Sequence, residues 1–177
     1  LEANFVERLV IPLNPTTALE IPRGFVAVDA EVLGKNYRFV NTHLEAFDEQ
    51  IRVTQAQELL TALQGDTLTT IVVGDFNSVA PGGSAYNTML SADFRDMWDE
   101  NRRSIPWQAG NTFGNDPDLR NKYSNMYERI DFILVRPHAN YLNEPILSVA
   151  KILGIKKKDK TKTGLWPSDH AGIAAKL

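Results

Sequence analysis

The sequence predicts an α/β fold of the α+β type, in which helices pack against mixed β-sheets, and three observations carry this prediction. Apolar residues alternate over 25–41 around a Leu33-Gly34-Lys35-Asn36 turn signal, which is typical of a β-hairpin. Apolar residues recur near helical spacing over 49–63, which predicts an amphipathic helix. A short apolar run at 69–74 (T-T-I-V-V-G) predicts a strand that is buried on both faces of a sheet.

The remaining elements follow from capping residues, turns and apolar runs. Asp48 can cap the first predicted helix and Gly65 can end it, while Ser84 can cap a second helix that runs to about Leu90. The polar segment 101–125 is too long for a plain connection, which indicates a functional loop. Further strands are predicted at 5–12, 130–135, 145–153 and 171–177, with a turn and loop from 14 onward.

The composition is that of an ordinary globular chain, and residues 1–177 are predicted to form a single, partial domain. Hydrophobic residues make up 43% and charged residues 23%, which argues against a disordered chain. The net charge of -3 gives no general basic field that would gather nucleic acid. The absence of cysteine excludes disulfide scaffolds, thiolate metal sites and thiol nucleophiles. No segment approaches the ~20 apolar residues that cross a bilayer.

Four short polar motifs coincide with the ends of predicted strands. They are N-T-H-L-E at 41–45, V-V-G-D-F-N-S at 72–78, E-R-I-D-F-I at 128–133 and W-P-S-D-H-A-G at 166–172. Open α/β folds place active sites at strand ends. The motifs supply histidines, aspartates and an asparagine, which suit Mg²⁺ or Mn²⁺ and proton transfer. Hydrolysis of a phosphate ester needs a cation, a base and hydrogen-bond donors, so this is the reaction that the motifs imply.

Each motif taken alone also has a purely structural explanation. An aspartate in a Gly-Asp pair after a strand commonly accepts from backbone amides of the turn. A lone histidine is commonly a hydrogen-bonded structural residue. The combination is more specific, because four independent motifs fall in order at predicted strand ends.

In this order, the four motifs resemble the C-terminal part of the endonuclease/exonuclease/phosphatase (DNase-I-like) superfamily, which includes nucleases, sphingomyelinases and inositol phosphatases. The resemblance spans 41–177. It implies a DNase-I-like four-layer α/β sandwich with mixed, largely antiparallel sheets and with its N-terminal part missing from this chain. It also implies divalent-metal-dependent hydrolysis of a phosphate ester, with a nuclease-like phosphodiester reaction favoured.

The first three motifs receive roles from the same resemblance. Asp75 in G-D-F-N would orient or deprotonate the attacking water, and Asn77 would help to hold the scissile phosphate. His43 in N-T-H-L would contact the phosphate. Asp131 in R-I-D-F-I would accept a hydrogen bond from His43.

The S-D-H motif completes the expected site. Asp169 would bind the divalent metal, and His170 would be the remaining catalytic histidine, held or made cationic by an acidic partner. The upstream asparagine and metal-binding glutamate of the superfamily have no counterpart here, because Glu2, Asn4 and Glu7 do not stand in the expected context. The acidic partner of His170 is therefore expected to be missing, and this chain alone is expected to be weakly active or inactive.

The missing segment also has a consequence for packing. A fold of two face-packed sheets would lose part of one sheet and leave an apolar face bare. Such faces are unusual in soluble monomers, so an N-terminal fragment, a second copy or upstream residues should cover it. The chain starts at Leu1 without an initiator methionine, which predicts that the natural N-terminus lies upstream.

Two alternative functions stay open at this point, and so does the substrate. The alternatives are a phosphomonoesterase of the same fold and a non-catalytic binding module that retains the fold. The substrate could be nucleic acid, a phospholipid head group or a small phosphate. The sequence variants around His43 and His170 resemble those of bacterial extracytoplasmic members, although the compartment is left open.

Three further features carry weaker signals. The segment 111–114 (N-T-F-G) resembles a loop that lines the cleft, or forms a plain turn. The lysines of 156–162 are interpreted as a solvated face rather than a contact for a polyanion. Trp166 is interpreted as an anchor of the final loop rather than a base-stacking residue.

Overall fold

A six-stranded mixed sheet organises the chain in the computed structural model, which describes residues 1–102, 109–138, 140 and 149–176. The strands of this sheet are β1 (Glu2–Asn4), β4 (Gly24–Val32), β5 (Lys35–His43), β6 (Thr69–Asp75), β7 (Arg95–Asp96) and β8 (Asp131–Arg136). The strand order is β1-β4-β5-β6-β8-β7; β5 and β6 are parallel and the other neighbours are antiparallel.

Two small antiparallel sheets accompany the central one. β2 (Leu9–Asn14) and β3 (Thr17–Ile21) form a hairpin between β1 and β4 in the chain, and β9 (Val149–Leu153) pairs with β10 (Gly172–Lys176). β10 lies against β8, so the second pair covers one end of the central sheet.

The helices include the two that the sequence predicts. α1 (Glu49–Ala62) starts after Asp48, whose side chain accepts from the backbone N–H of Ile51 at 3.0 Å, as predicted. α2 (Ser84–Leu90) and α3 (Met97–Arg102) follow, with a short 3-10 helix at Lys157–Asp159. No helix within the described residues is long and apolar enough to span a membrane.

The face of the central sheet that packs against α1 and α2 carries the core. Alternate residues of the strands point into this face, where they are almost completely buried. The core includes Phe25 and Ala27 of β4, Val40 of β5, Val72 of β6, Phe132 and Leu134 of β8, Ala56 and Leu59 of α1, and Tyr86 and Met89 of α2.

The opposite face of the same strands is largely open. Val26, Val28 and Phe39 remain 48%, 53% and 40% exposed, although each is a large apolar residue in the interior of a strand. Ile71 and Val73 line an apolar groove of about 550 Å³ between this face and β10. The predicted bare apolar face is therefore present.

The structure corrects several element predictions. β6 is buried on one face only, because Val72 is inaccessible while Ile71 and Val73 are half-buried beside the groove. Gly83, not Ser84, caps α2, and Ser84 is its first residue. The loop expected after the first turn contains β3, which completes a hairpin with β2. Of the strand predicted at 145–153, residues 145–148 lie outside the described part of the chain.

Candidate active site

Three of the predicted site residues lie side by side because of strand register. In the pairing of β5 with β6, His43 is opposite Asp75, and in the pairing of β6 with β8, Asp75 is opposite Asp131. All three side chains therefore leave the sheet on the same face and at the same end. That face is the open one, which separates these residues from the helix-covered core.

Gly74 makes the close pairing of β5 and β6 possible just before Asp75. Its φ is +145°, and a Cβ atom added there would lie 1.9 Å from the carbonyl oxygen of Thr42. Any other residue would force the two strands apart. The glycine of the V-V-G-D motif therefore fixes where the Asp75 carboxylate stands relative to His43.

Asn77 holds the turn that follows Asp75. It adopts the left-handed conformation, with φ at +48°, which asparagine tolerates better than most residues. Its backbone N–H donates to Oδ1 of Asp75 at 2.8 Å, and its side-chain amide donates to the carbonyl oxygen of Leu44 at 3.0 Å. Asn77 thus orients one carboxylate oxygen of Asp75 and leaves the other, Oδ2, facing the histidines.

Both histidines approach the free oxygen of Asp75. Nε2 of His43 lies 3.4 Å from Oδ2, and Nε2 of His170 lies 3.9 Å from the same atom. Burial raises the pKa of Asp75, because the charged carboxylate is partly desolvated. Asp75 is therefore a stronger proton acceptor than an exposed aspartate.

The acidic partner of His170 is Asp131. Nδ1 of His170 lies 2.9 Å from Oδ2 of Asp131, and this hydrogen bond raises the pKa of His170. Two expectations are corrected by this contact. Asp131 is hydrogen-bonded to His170 rather than to His43, and the partner of His170 is present in this chain. The reason is that the S-D-H segment lies directly over the end of β8, a proximity that tertiary structure alone creates.

The N-T-F-G segment positions this pair. The hydroxyl of Thr112 accepts from the backbone N–H groups of Ile130 and Asp131, at 3.2 and 3.1 Å. The ring of Phe113 packs against that of His170, with the centroids 4.9 Å apart. Sequence reasoning gave this segment only a weak role; the N-T-F-G pattern itself was the signal available.

Asp75, Asp131 and His170 fit a divalent cation. Their ligand atoms all lie within 4.8 Å of one another, and each residue is half-buried. The two carboxylates are suitable donors for Mg²⁺ or Mn²⁺, whereas Nδ1 of His170 is already bonded to Asp131. Asp169, which the resemblance assigns to the metal, is not in this group. Its side chain accepts from the hydroxyl of Ser168 at 3.1 Å, and its role as a ligand stays a prediction.

The final loop is anchored as the sequence predicts. Trp166 is only 2% exposed, and its indole N–H donates to the carbonyl oxygen of Asn121 at 2.8 Å. The ammonium group of Lys160 lies 4.7 Å from the centre of the Trp166 ring and donates to the same oxygen. Trp166 is thus a packing residue, and Lys160 is committed to the loop rather than free for a polyanion.

The sequence of the chain matches one family over most of its length. Residues 8–170 match the Endonuclease/Exonuclease/phosphatase family, a span that includes all four motifs. The chain belongs to this family. The three activities in the name of the endonuclease/exonuclease/phosphatase family all hydrolyse phosphate esters. No curated protein sequence matches the chain.

Solved structures of family members share the fold. D. rerio TDP2 in complex with a single-strand DNA product is 20% identical, with a TM-score of 0.63 over 96% of this chain and 66% of that chain. A mannosyl-6-phosphatase from Bacteroides thetaiotaomicron is 19% identical, with a TM-score of 0.57 over 97% of this chain and 66% of that chain. A family protein from Leptotrichia buccalis is 20% identical, with a TM-score of 0.58 over 99% and 60%.

The family match confirms the predicted family, and the likenesses confirm the DNase-I-like fold class of mixed, largely antiparallel sheets. At such identities they establish the fold alone. The chain spans 60–66% of the length of these three structures.

Proposed function

We propose that this protein hydrolyses a phosphodiester in a reaction that requires Mg²⁺ or Mn²⁺. The observation that carries the proposal is the convergence of His43, Asp75, Asp131 and His170 at one end of three adjacent strands. A base, two imidazoles and a paired acidic residue within a few ångströms match what attack of water on phosphorus requires. Membership of the endonuclease/exonuclease/phosphatase family supports the same chemistry.

The cation would be held by carboxylates at this end of the sheet, from Asp131 and, as the resemblance implies, Asp169. When bound, it would polarise the phosphoryl oxygens and offset their negative charge. The side chain of Asp131 would serve a second purpose at the same time, since it also orients the ring of His170.

Asp75 would take the proton of the attacking water. Its Oδ1 is occupied by the N–H of Asn77, so Oδ2 is the oxygen that is available for the water. The raised pKa of Asp75 makes it a better base at neutral pH than an exposed carboxylate. The oxygen of the water forms the new bond to phosphorus, and the proton of that water remains on Asp75. The bond to the ester oxygen breaks, and the alcohol leaves with that electron pair and takes a proton from solvent.

The two histidines would donate hydrogen bonds to the phosphoryl group. Asp131 raises the pKa of His170, which keeps a proton on its ring over more of the neutral range. His43 stands on the other side of Oδ2 of Asp75, with half of its side chain exposed to the open face. A phosphoryl group between the two rings would meet N–H donors from both sides. The bond to Leu44 uses one of the two amide N–H donors of Asn77, so the other would be left to hold this group.

Binding of Mn²⁺ to the 177-residue chain tests the metal part of the proposal. Titration followed by the electron paramagnetic resonance of free Mn²⁺ should show binding that Asp131→Asn weakens at least tenfold, because one ligand charge is lost. Asp29→Asn is the matched control, since Asp29 lies in the same sheet but is exposed and bonded to Arg38. Equal binding by both variants would contradict the assignment.

Hydrolysis of two model substrates tests the substrate class. Bis(4-nitrophenyl) phosphate is a diester and 4-nitrophenyl phosphate is a monoester, and the diester should be cleaved faster. The likeness to D. rerio TDP2 with a DNA product supports the diester, while the likeness to the mannosyl-6-phosphatase favours the monoester as the second candidate. Faster cleavage of the monoester would select that second candidate.

A binding module without catalysis is the remaining alternative. It would be favoured if the chain bound neither Mg²⁺ nor Mn²⁺ and cleaved neither ester.

We also propose that the open apolar face is covered by a further layer of polypeptide, since about a third of the D. rerio TDP2 chain lies outside the match. The exposure of Val26, Val28 and Phe39 supports it, because large contiguous apolar surfaces usually mark an interface. The uncovered chain should bind the dye ANS, and Phe39→Glu should reduce this binding. Leu33→Glu, at the far turn, is the matched control. A dimer in light scattering would instead favour a second copy as the cover.

A further inference from the structure

Arg23 is a charged residue at the candidate site that none of the four motifs contains. It directly precedes β4, and its carbonyl oxygen accepts from the backbone N–H of Phe5 at 2.8 Å. Because β4 and β5 are antiparallel, the start of β4 adjoins the end of β5, where His43 stands. Nη1 of Arg23 lies 3.1 Å from Nδ1 of His43.

The partners of Arg23 distinguish it from other arginines of the central sheet. Arg38 is paired with Asp29 and Asp66, and Arg129 with Asp96 and Asp99. Within the part of the chain that the structure describes, no carboxylate forms an ion pair with Arg23, and its buried Nε has no hydrogen-bond partner. Its described side-chain hydrogen bond is the one to His43.

This hydrogen bond has only one possible direction. A guanidinium group carries donors and no acceptor, and it stays protonated in proteins. Nδ1 of His43 must therefore be the acceptor, which means that it carries no proton. The ring proton is then on Nε2, the atom that lies 3.4 Å from Oδ2 of Asp75 and faces the place proposed for the phosphoryl group.

We infer that Arg23 is a positioning residue that holds His43 in its Nε2-protonated tautomer and so presents an N–H donor to the phosphoryl oxygen of the substrate. The use of that donor rests on the proposed function, whereas the tautomer itself does not. In this arrangement His43 is not a base toward the site, because its free lone pair is occupied by Arg23. The proton of the attacking water therefore passes to Asp75 and not to His43.

The arrangement also explains how two imidazoles near one carboxylate can differ in protonation. His170 has a carboxylate at Nδ1, whereas His43 has a guanidinium at Nδ1. The carboxylate stabilises a protonated, charged ring of His170, whereas the guanidinium requires that Nδ1 of His43 carry no proton. Both rings present Nε2 toward Asp75.

Nitrogen NMR of the histidine rings tests the inference on the 177-residue chain. Long-range ¹H–¹⁵N spectra distinguish a protonated from an unprotonated ring nitrogen, and His43→Gln assigns the signals. In the wild type at pH 8, His43 should show a protonated Nε2 and an unprotonated Nδ1. A wild-type spectrum with the proton on Nδ1, or on both nitrogens, would overturn the inference without any variant.

Arg23→Met should remove the preference of His43 for the Nε2-protonated tautomer, so that the ¹⁵N chemical shifts of its two ring nitrogens move toward averaged values. Arg8→Met is the matched control, because Arg8 directly precedes β2 and, among the described residues, its ion pair is the exposed one with Glu20. His170 should keep its spectrum in both variants, which also reports an intact fold. An unchanged His43 pattern in Arg23→Met would contradict the inference.

Kinetics with bis(4-nitrophenyl) phosphate and Mn²⁺ separate this inference from the proposed function. If the wild type is active, Arg23→Met should lower kcat/KM by about 10- to 100-fold, since one hydrogen bond to a charged group is lost. If the wild type cleaves no ester, the proposed function fails, while the tautomer of His43 still decides the inference.

Discussion

The two faces of the central sheet are made by the same strands but serve different purposes. On the face that packs against α1 and α2, Val40 and Val72 are completely inaccessible to solvent. On the other face, Val26 and Val28 are about half exposed, and the site residues stand at the end of the same surface. Alternation along a strand therefore separates the residues that stabilise the fold from those that can perform chemistry.

The difference between the faces also affects charge. On the helix-covered face, the buried Arg129 is paired with the buried Asp96, so that the positive and the negative charge neutralise each other inside the protein. On the open face, Asp75 is partly desolvated and has no arginine or lysine partner among the described residues. Burial raises the pKa of both Asp75 and Asp96, but of the two only Asp96 has an arginine partner in the described part of the chain, so substitutions on the two faces should have different consequences.

The largest effect is expected from Asp75→Asn. It should lower hydrolysis of bis(4-nitrophenyl) phosphate by about 10³-fold, because the amide cannot accept the proton of water. The free energy of unfolding should not fall, since a neutral group replaces a carboxylate whose charged form is penalised by burial. Activity assays and urea denaturation check both statements, with the exposed Asp93→Asn as control. A parallel loss of activity and stability would indicate a structural role.

The next largest effect is expected on stability, where two neighbouring valines of β6 can be compared. Val72→Ala should lower the free energy of unfolding by about 2 kcal/mol, because two fully buried methyl groups are lost and a cavity remains. Val73→Ala, which changes the same atoms on the half-buried face, should cost about half as much or less. Denaturant titrations measure both values. Equal losses would show that the open face is as well packed as the core.

A smaller effect concerns the pair of His170 and Asp131. Since the pKa of His170 is raised in the folded protein, its contribution to stability is complete below the pKa of the unfolded state, near 6.5. This contribution disappears as the pH rises through the raised pKa. Asp131→Asn should therefore lower the free energy of unfolding by about 1 kcal/mol more at pH 5.5 than at pH 9, after allowance for the partial exposure of the pair.

Urea denaturation at the two pH values measures this difference. Asp29→Asn, on the same sheet but away from any histidine contact, should show no comparable change. A cost for Asp131→Asn that grows with pH would reverse the sign and contradict the pairing.

The smallest effect is expected at the turn between β4 and β5, at the end of the sheet opposite to the site. Leu33 and Gly34 have φ values of +52° and +76°, so a leucine occupies a left-handed position. Leu33→Asn should raise the free energy of unfolding by about 1 kcal/mol, because asparagine adopts this conformation more easily. Thermal unfolding checks it, and hydrolysis should not change. A decrease in activity would mean that the two ends of the sheet are coupled.

Local sequence patterns predicted most elements for identifiable reasons. Asp48 caps α1 as expected because N-capping depends on one side chain and a backbone N–H three residues away. The hairpin of β4 and β5 was predicted from alternation around the turn signal at 33–36. The prediction that β6 is buried on both faces was wrong, because a run of apolar residues has the same appearance whether a second layer covers the strand or not.

The site could be predicted as a set of residues but not as a set of contacts. The position of each polar motif at a strand end was sufficient to expect His43, Asp75 and Asp131 at one edge. The pairing of His170 with Asp131 joins residues 39 positions apart, and sequence reasoning assigned Asp131 to the wrong histidine. Arg23 was missed altogether, because it stands outside every motif.

The amino-acid sequence by itself determined the family, the strand-end motifs and the alternation that divides each strand between core and site, since these depend on short-range chemistry and periodicity. Tertiary structure alone decided which nitrogen faces which oxygen. Register between β5, β6 and β8 places His43, Asp75 and Asp131 abreast, and the partner at each Nδ1 gives the two histidines different protonation. Such choices depend on separations of a few ångströms between distant segments, and no local pattern encodes them.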